Sequence, residues 1–170
     1  LSKDVDEVHE KLRGDLDRMM RESPARVLLW MNGTDHQWPQ EHIPELLAAL
    51  AGRGFYLAII SNKTGKYLRR ETTHLGWNRY FGRVVGAADA ANDKPSPEVV
   101  ELALEGSGIE PGDGVWLVGD TGIDMECAHN AACVPILLRD TPPEPGEFGA
   151  FGPAMYFPNC VALTALVKTL

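Results

Sequence analysis

The apolar run Val115-Trp116-Leu117-Val118 breaks at Gly119 into Asp120 and, four residues further on, Asp124. Carboxylate oxygens are the natural ligands of Mg2+, which usually takes one or two of them and fills its other positions with water and substrate phosphate. Four apolar residues before a glycine predict a fully buried strand, and Thr121 to Ala132 predicts a helix, so Asp120 leaves the strand tip and Asp124 lies on the first helical turn. Both acids can then converge on one cation. The same spacing also has an explanation without metal, because an acid in the first turn of a helix stabilises the dipole and caps free N–H groups.

Two other groups share this setting, just beyond a strand's carboxyl end. In Ile59-Ile60-Ser61-Asn62-Lys63 a hydroxyl and an amide stand at a strand tip, where each can donate a hydrogen bond to a phosphate oxygen. In Asn92-Asp93-Lys94-Pro95 an ammonium sits in the loop before a helix, where it can neutralise a phosphoryl group or a nucleophilic carboxylate. Singly, Ser61-Asn62 reads equally as a turn and Lys94 as an exposed loop lysine. Their order, with Lys-Pro about 33 residues after the hydroxyl and GDxxxD about 25 after that, makes coincidence a poor account.

The elements that must position these residues follow from periodicity. Residues 3–22 carry Val5, Val8, Leu12, Leu16, Met19 and Met20 at amphipathic-helix spacing, ended by Ser23-Pro24. Strands are predicted over 26–31, 55–60, 83–86, 115–118, 135–138 and 154–157, and helices over 39–52, 65–75, 97–105, 121–132 and 161–170. Such alternation implies an α/β fold, a Rossmann-like doubly wound parallel sheet with helices on both faces, in which ligands bind beyond the carboxyl ends of the strands. Residues 1–170 are expected to form one domain, with 1–24 a helical N-terminal segment and 25–170 the α/β core. The Pro- and Gly-rich stretch 140–153 is read as a surface loop that could border the site.

Composition narrows the partners. A net charge of −8 and a pI near 5.1 argue against nucleic acid, which is bound through clustered Lys and Arg. The local exception, Lys63, Lys66, Arg69 and Arg70, fits a solvated helix face or a contact for a small phosphorylated molecule. Cys127, Cys133 and Cys160 form an odd set without C-x-x-C spacing and read as buried reduced thiols. No apolar run has the roughly 18 residues of a membrane span, and no signal-peptide core is visible, so a cytoplasmic setting is expected. His36, His42, His74 and His129 lack metal-ligand spacing, and Trp77 and Trp116 read as core aromatics. Oligomeric state stays open.

From about Glu45 to Leu170 the chain resembles the haloacid dehalogenase superfamily of hydrolases, in its phosphoglycolate-phosphatase-like branch. Ser61-Asn62 matches the family's second motif, Lys94-Pro95 its third, and Asp120 with Asp124 its fourth. The resemblance implies a Mg2+-dependent phosphatase acting on a small phosphorylated metabolite. Asp120 would bind the metal directly with Asp124 supporting it, Ser61 and Asn62 would hold phosphoryl oxygens, and Lys94 would balance charge. It also implies a nucleophilic aspartate and an acid–base aspartate in DxDGT after an apolar strand. This sequence departs from that pattern. Val27-Leu28-Leu29-Trp30-Met31-Asn32-Gly33-Thr34 has the strand and the Gly-Thr, with Trp30 where the nucleophile belongs and Asn32 where the acid belongs. Asp4-Val5-Asp6 has the acid spacing without the strand. Two explanations stand: a module that binds phosphate and metal with its chemistry lost or severely weakened, or a shortened chain whose motif and part of a helical cap lay upstream, residues 3–22 being a remnant of that cap.

Overall fold

The computed structural model describes residues 27–31 and 42–169. The expected helix over 3–22, the turn at Asn32-Gly33, His36 and the start of the helix expected from Pro39 lie outside those residues. The described elements are β1 (Val27–Met31), α1 (Ile43–Gly52), β2 (Tyr56–Thr64), α2 (Gly65–His74), a 3-10 turn (Trp77–Arg79), β3 (Arg83–Ala87), α3 (Glu98–Leu104), β4 (Val115–Gly119), α4 (Gly122–Asn130), β5 (Val134–Leu138), β6 (Met155–Phe157) and α5 (Cys160–Val167).

All strand pairs are parallel, and the sheet runs β3-β2-β1-β4-β5-β6. The chain winds outward from β1 through β2 to β3, then returns to β4 and winds the other way. That reversal opens a crevice beyond the tips of β1 and β4, where doubly wound sheets take ligands. Val27–Met31 fills the central slot, with Trp30 opposite Ile59 on one side and Val118 on the other.

Burial on both faces explains why β4 and β5 read as continuous apolar runs, for every residue of each is buried. On one face Leu46, Leu47 and Leu50 of α1, Leu68 of α2 and Leu163 and Val167 of α5 close over Leu57, Ile59, Trp116 and Ile136. On the other, Val99, Val100 and Ala103 of α3 and Cys127 and Ala128 of α4 cover Ala58, Ile60, Val85 and Leu117. Trp77 and Trp116 are core residues, and all three cysteines are buried free thiols, as read from sequence. Among the described residues no helix is long and apolar enough to cross a membrane.

The largest departure from the expected boundaries is β2, which runs to Thr64 instead of ending at Ile60. Its ladder with β3 pairs Ile60 with Val85 and resumes only at Thr64 with Ala87, so Ser61, Asn62 and Lys63 bulge opposite the lone Gly86. A Cβ on Gly86 would sit 2.3 Å from Gly65 Cα and 2.8 Å from the Lys63 carbonyl oxygen, so the bulged strand can fold over that position only because it is glycine. The turn Trp77–Arg79 was not anticipated.

Candidate functional site

Three strand ends bring the predicted residues together. Asp124 is fully buried in the first turn of α4. Its Oδ1 accepts from Lys94 Nζ at 2.8 Å. Its Oδ2 accepts from the backbone N–H of Asp120 at 3.1 Å, the backbone N–H of Thr121 at 3.0 Å and the Thr121 hydroxyl at 2.8 Å. Both oxygens therefore accept from the chain itself, and Asp124 completes the capping box of α4. Gly119 is part of this arrangement. A Cβ there would lie 2.3 Å from Asp124 Cβ and 2.5 Å from its Oδ2.

Asp120 behaves differently. Its Oδ1 is buried with no hydrogen-bond partner among the described residues. Burial, and then repulsion from Asp124, push its pKa above the ordinary carboxylate range. A buried carboxylate oxygen without a partner costs free energy that a divalent cation would remove, so Asp120 fits as a Mg2+ ligand. Among the described residues no group of three or more acids, histidines and cysteines gathers as a metal site, here or elsewhere, so a cation on Asp120 would take its other ligands from water and phosphate.

Lys94 is buried, and its ion pair with Asp124 has side-chain exposures of 3% and 1%. An ammonium carries three donors, so one on Asp124 leaves two for a bound anion. The loop bearing Lys94 is tied down at several points. Asp93 accepts from the backbone N–H of Ala88 at 2.8 Å, so it braces the loop. Asn130 Nδ2 donates to the Pro95 carbonyl at 3.0 Å. Asn62 Nδ2 donates to the Lys94 carbonyl at 3.3 Å, and Asn62 Oδ1 accepts from the Lys94 N–H at 3.2 Å. The Asn62 side chain is thus engaged with the Lys94 backbone. Ser61 is buried at the β2 bulge, its hydroxyl oxygen accepting from Lys63 N–H at 3.2 Å.

The remaining candidates serve packing. Lys63 pairs with Glu71 at 2.7 Å and Arg69 with Asp89 at 2.5 Å, which ties up half of the basic patch. His129 places Nε2 2.8 Å from the Gly152 carbonyl oxygen and its ring against Phe151. One cation beside the site escaped the sequence reading. Arg139 follows β5 directly, pairs with Glu147 at 2.6 Å and lies over the Phe148 ring. Glu147 holds its guanidinium further toward the charged form, with Asp120 adding a smaller share. Its sequence signal is a basic residue immediately beyond an apolar strand.

A family model described as haloacid dehalogenase-like hydrolase matches residues 7–137. The phosphoglycolate phosphatase of Aquifex aeolicus (strain VF5) is 38% identical over 93 residues, 55% of this chain and 43% of its own length. That of Escherichia coli (strain K12) is 33% identical over 92 residues, 54% of this chain and 36% of its own. A HAD-superfamily hydrolase from Ehrlichia chaffeensis superposes with a TM-score of 0.66 at 30% identity, over 81% of this chain and 63% of that one. A subfamily IA HAD hydrolase from Geobacter sulfurreducens PCA, 24% identical, shares the fold with a TM-score of 0.61 over 75% of this chain and 55% of that one. The chain spans less than half the length of the two phosphatases.

Proposed function

Because the chain belongs to the haloacid dehalogenase-like hydrolase family, we propose that it is a Mg2+-dependent phosphohydrolase for a small phosphorylated metabolite, of the phosphoglycolate-phosphatase-like kind and cytoplasmic. The observation that carries this reading is the unpartnered buried oxygen of Asp120 beside the buried Lys94–Asp124 ion pair. One strand tip offers a vacant carboxylate valence for a cation, and the neighbouring loop offers an ammonium for an anion.

In this reading Asp120 holds the metal, which when bound supplies charge neutralisation and orientation for the phosphoryl group. Lys94 directs its two remaining donors at phosphoryl oxygens, and Ser61 adds a hydroxyl from the β2 bulge. Asp124 stays off the cation. It fixes the Lys94 ammonium and, through its bond from the Asp120 N–H, the height of Asp120. Little water reaches the ion pair, so its charges act in a medium of low effective dielectric.

A second reading, a module that binds phosphate and metal without turnover, rests on the residues of β1. β1 occupies the slot between β2 and β4, and Val27–Met31 contains no carboxylate; the resemblance would set Trp30 at the nucleophile's position. Indole cannot attack phosphorus.

The test is release of inorganic phosphate from a panel of small phosphate monoesters, phosphoglycolate included, with and without Mg2+. Turnover that needs Mg2+ and is abolished by Asp120→Asn supports the enzyme. Calorimetric binding of Mg2+ and phosphate without turnover supports the second reading, and absence of both turnover and binding refutes the two together.

A further inference from the structure

Beyond Ile60 the ladder between β2 and β3 is interrupted, so the backbone at the β2 tip lacks its regular neighbour at the point where the site is built. Asn62 sits in that gap. Its side chain ends in one acceptor and one donor, the same pair a peptide unit offers, and both meet the backbone of a single residue, Lys94. The amide supplies the rung that the bulge removed, joining β2 to the loop before α3. From Lys94 the connection continues through Nζ to Asp124 and from Asp124 to the Asp120 N–H.

We propose that Asn62 is a positioning residue that sets Lys94 through the Lys94 backbone, and that its side chain does not bind the phosphoryl group. A lysine has four side-chain torsions, so a buried ammonium is placed accurately only if its Cα is fixed as well. Asp124 fixes one end of the side chain and Asn62 the other. The chemistry explains the residue type: Asp would keep the acceptor for the Lys94 N–H but set a second oxygen against the Lys94 carbonyl, and Ser or Ala would lose the paired contact. What Lys94 is positioned for rests on the phosphohydrolase reading; the positioning itself does not.

The experiment separates the two. The intact protein is treated with a limiting amine acetylating reagent, and acetylation of Lys94 is measured by peptide mass spectrometry against the exposed Lys66 and Lys168 in the same digest. In the native chain Lys94 is protected. Asn62→Ala loses both hydrogen bonds, and Asn62→Asp loses one and sets an oxygen against the Lys94 carbonyl, so each raises the population in which Lys94 is loose and accelerates its acetylation by about tenfold or more. Val167→Ala, in the buried face of α5 across the sheet, lowers the melting temperature without that change. Where turnover is measurable, both Asn62 variants lower kcat with KM nearly unchanged. Unaltered Lys94 acetylation in both variants overturns the proposal, and if weakened inorganic-phosphate binding accompanies it, Asn62 is a ligand. A chain without turnover leaves the acetylation result decisive and counts only against the hydrolase reading.

Discussion

The two acids of GDxxxD should respond in opposite directions to the same isosteric change. Asp124→Asn removes the charge facing the Lys94 ammonium, and whichever way the amide turns, an NH2 meets a donor: Nζ at one end, or the N–H groups of Asp120 and Thr121 at the other. Breaking a buried ion pair from one side costs about 3–5 kcal/mol. For a chain of this size that is a fall in Tm of roughly 6–20 °C. Asp120→Asn removes a carboxylate whose Oδ1 has no partner among the described residues and which is repelled by Asp124. Without metal it should gain about 1 kcal/mol, a rise of roughly 2–4 °C. The pH dependence follows from the raised pKa of Asp120 in the fold. The folded state binds this proton more tightly than the unfolded one, so the contribution is present below the unfolded value, about 3.9, and is lost as pH rises through the folded pKa. Asp120→Asn should flatten that decline in metal-free buffer. Mg2+ reverses the order. At a hundredfold excess over Kd it stabilises the unaltered chain by about 2.7 kcal/mol and leaves Asp120→Asn where it was. Scanning calorimetry in EDTA and in Mg2+ gives all these quantities. Equal destabilisation by both substitutions, or a drop in Tm for metal-free Asp120→Asn, would refute the division of labour drawn from the hydrogen bonds.

Gly119→Ala should lower the urea midpoint by an amount equivalent to about 1–3 kcal/mol and abolish Mg2+ binding, because its Cβ collides with the four-bonded Asp124 side chain. If turnover proves absent, the double change Trp30→Asp, Asn32→Asp should introduce Mg2+-dependent phosphate release; continued inactivity in a folded variant would mean that more than the carboxylates is missing. Burial pushes the Cys127 thiol up to about 12 and those of Cys133 and Cys160 to about 11. At pH 8 the thiolate fraction is then about 10^-3 or less, so a disulfide reagent should leave the native protein untouched and titrate all three thiols in urea. Asp89 is held below the ordinary carboxylate range by Arg69, against a smaller opposing effect of burial. Its contribution to stability is complete above the unfolded pKa and disappears as pH falls through the folded one, so Arg69→Met should reduce the acid sensitivity of the urea midpoint between pH 6 and 3.

What the sequence made legible was whatever depends on period and chemistry along one stretch of chain. Residues 115–118 announced a strand because burial on both sheet faces demands an unbroken apolar run, and β4 differs from that reading only by Gly119. β2 was read four residues short, since Ser61 to Lys63 are poor strand formers in isolation and continue the strand only by bulging over Gly86, a contact set by β3 more than twenty residues later. Ser61, Asn62, Lys94, Asp120 and Asp124 were all named, and the fold places them at adjoining strand ends and loops. Their hydrogen-bond partners were not legible. A spacing of four states that Asp120 and Asp124 can share a cation, yet only the return of the loop bearing Lys94 decides which of them an ammonium will occupy.

That division bears on the charge balance of the site. In the proposed phosphohydrolase Lys94 would offset the charge of the phosphoryl group, while Asp120 would carry the cation. Here the Lys94 ammonium is already neutralised by Asp124 inside the fold, a pairing that holds whether or not β1 supplies a carboxylate. The Lys94–Asp124 pair is therefore charge-balanced by residues of the described core alone. The exception is Asp120, whose buried oxygen no side chain among the described residues satisfies. If Asp120→Asn stabilises the metal-free chain as expected, the carboxylate costs stability unless a cation satisfies it, and that cost is the physical argument for the proposed metal site.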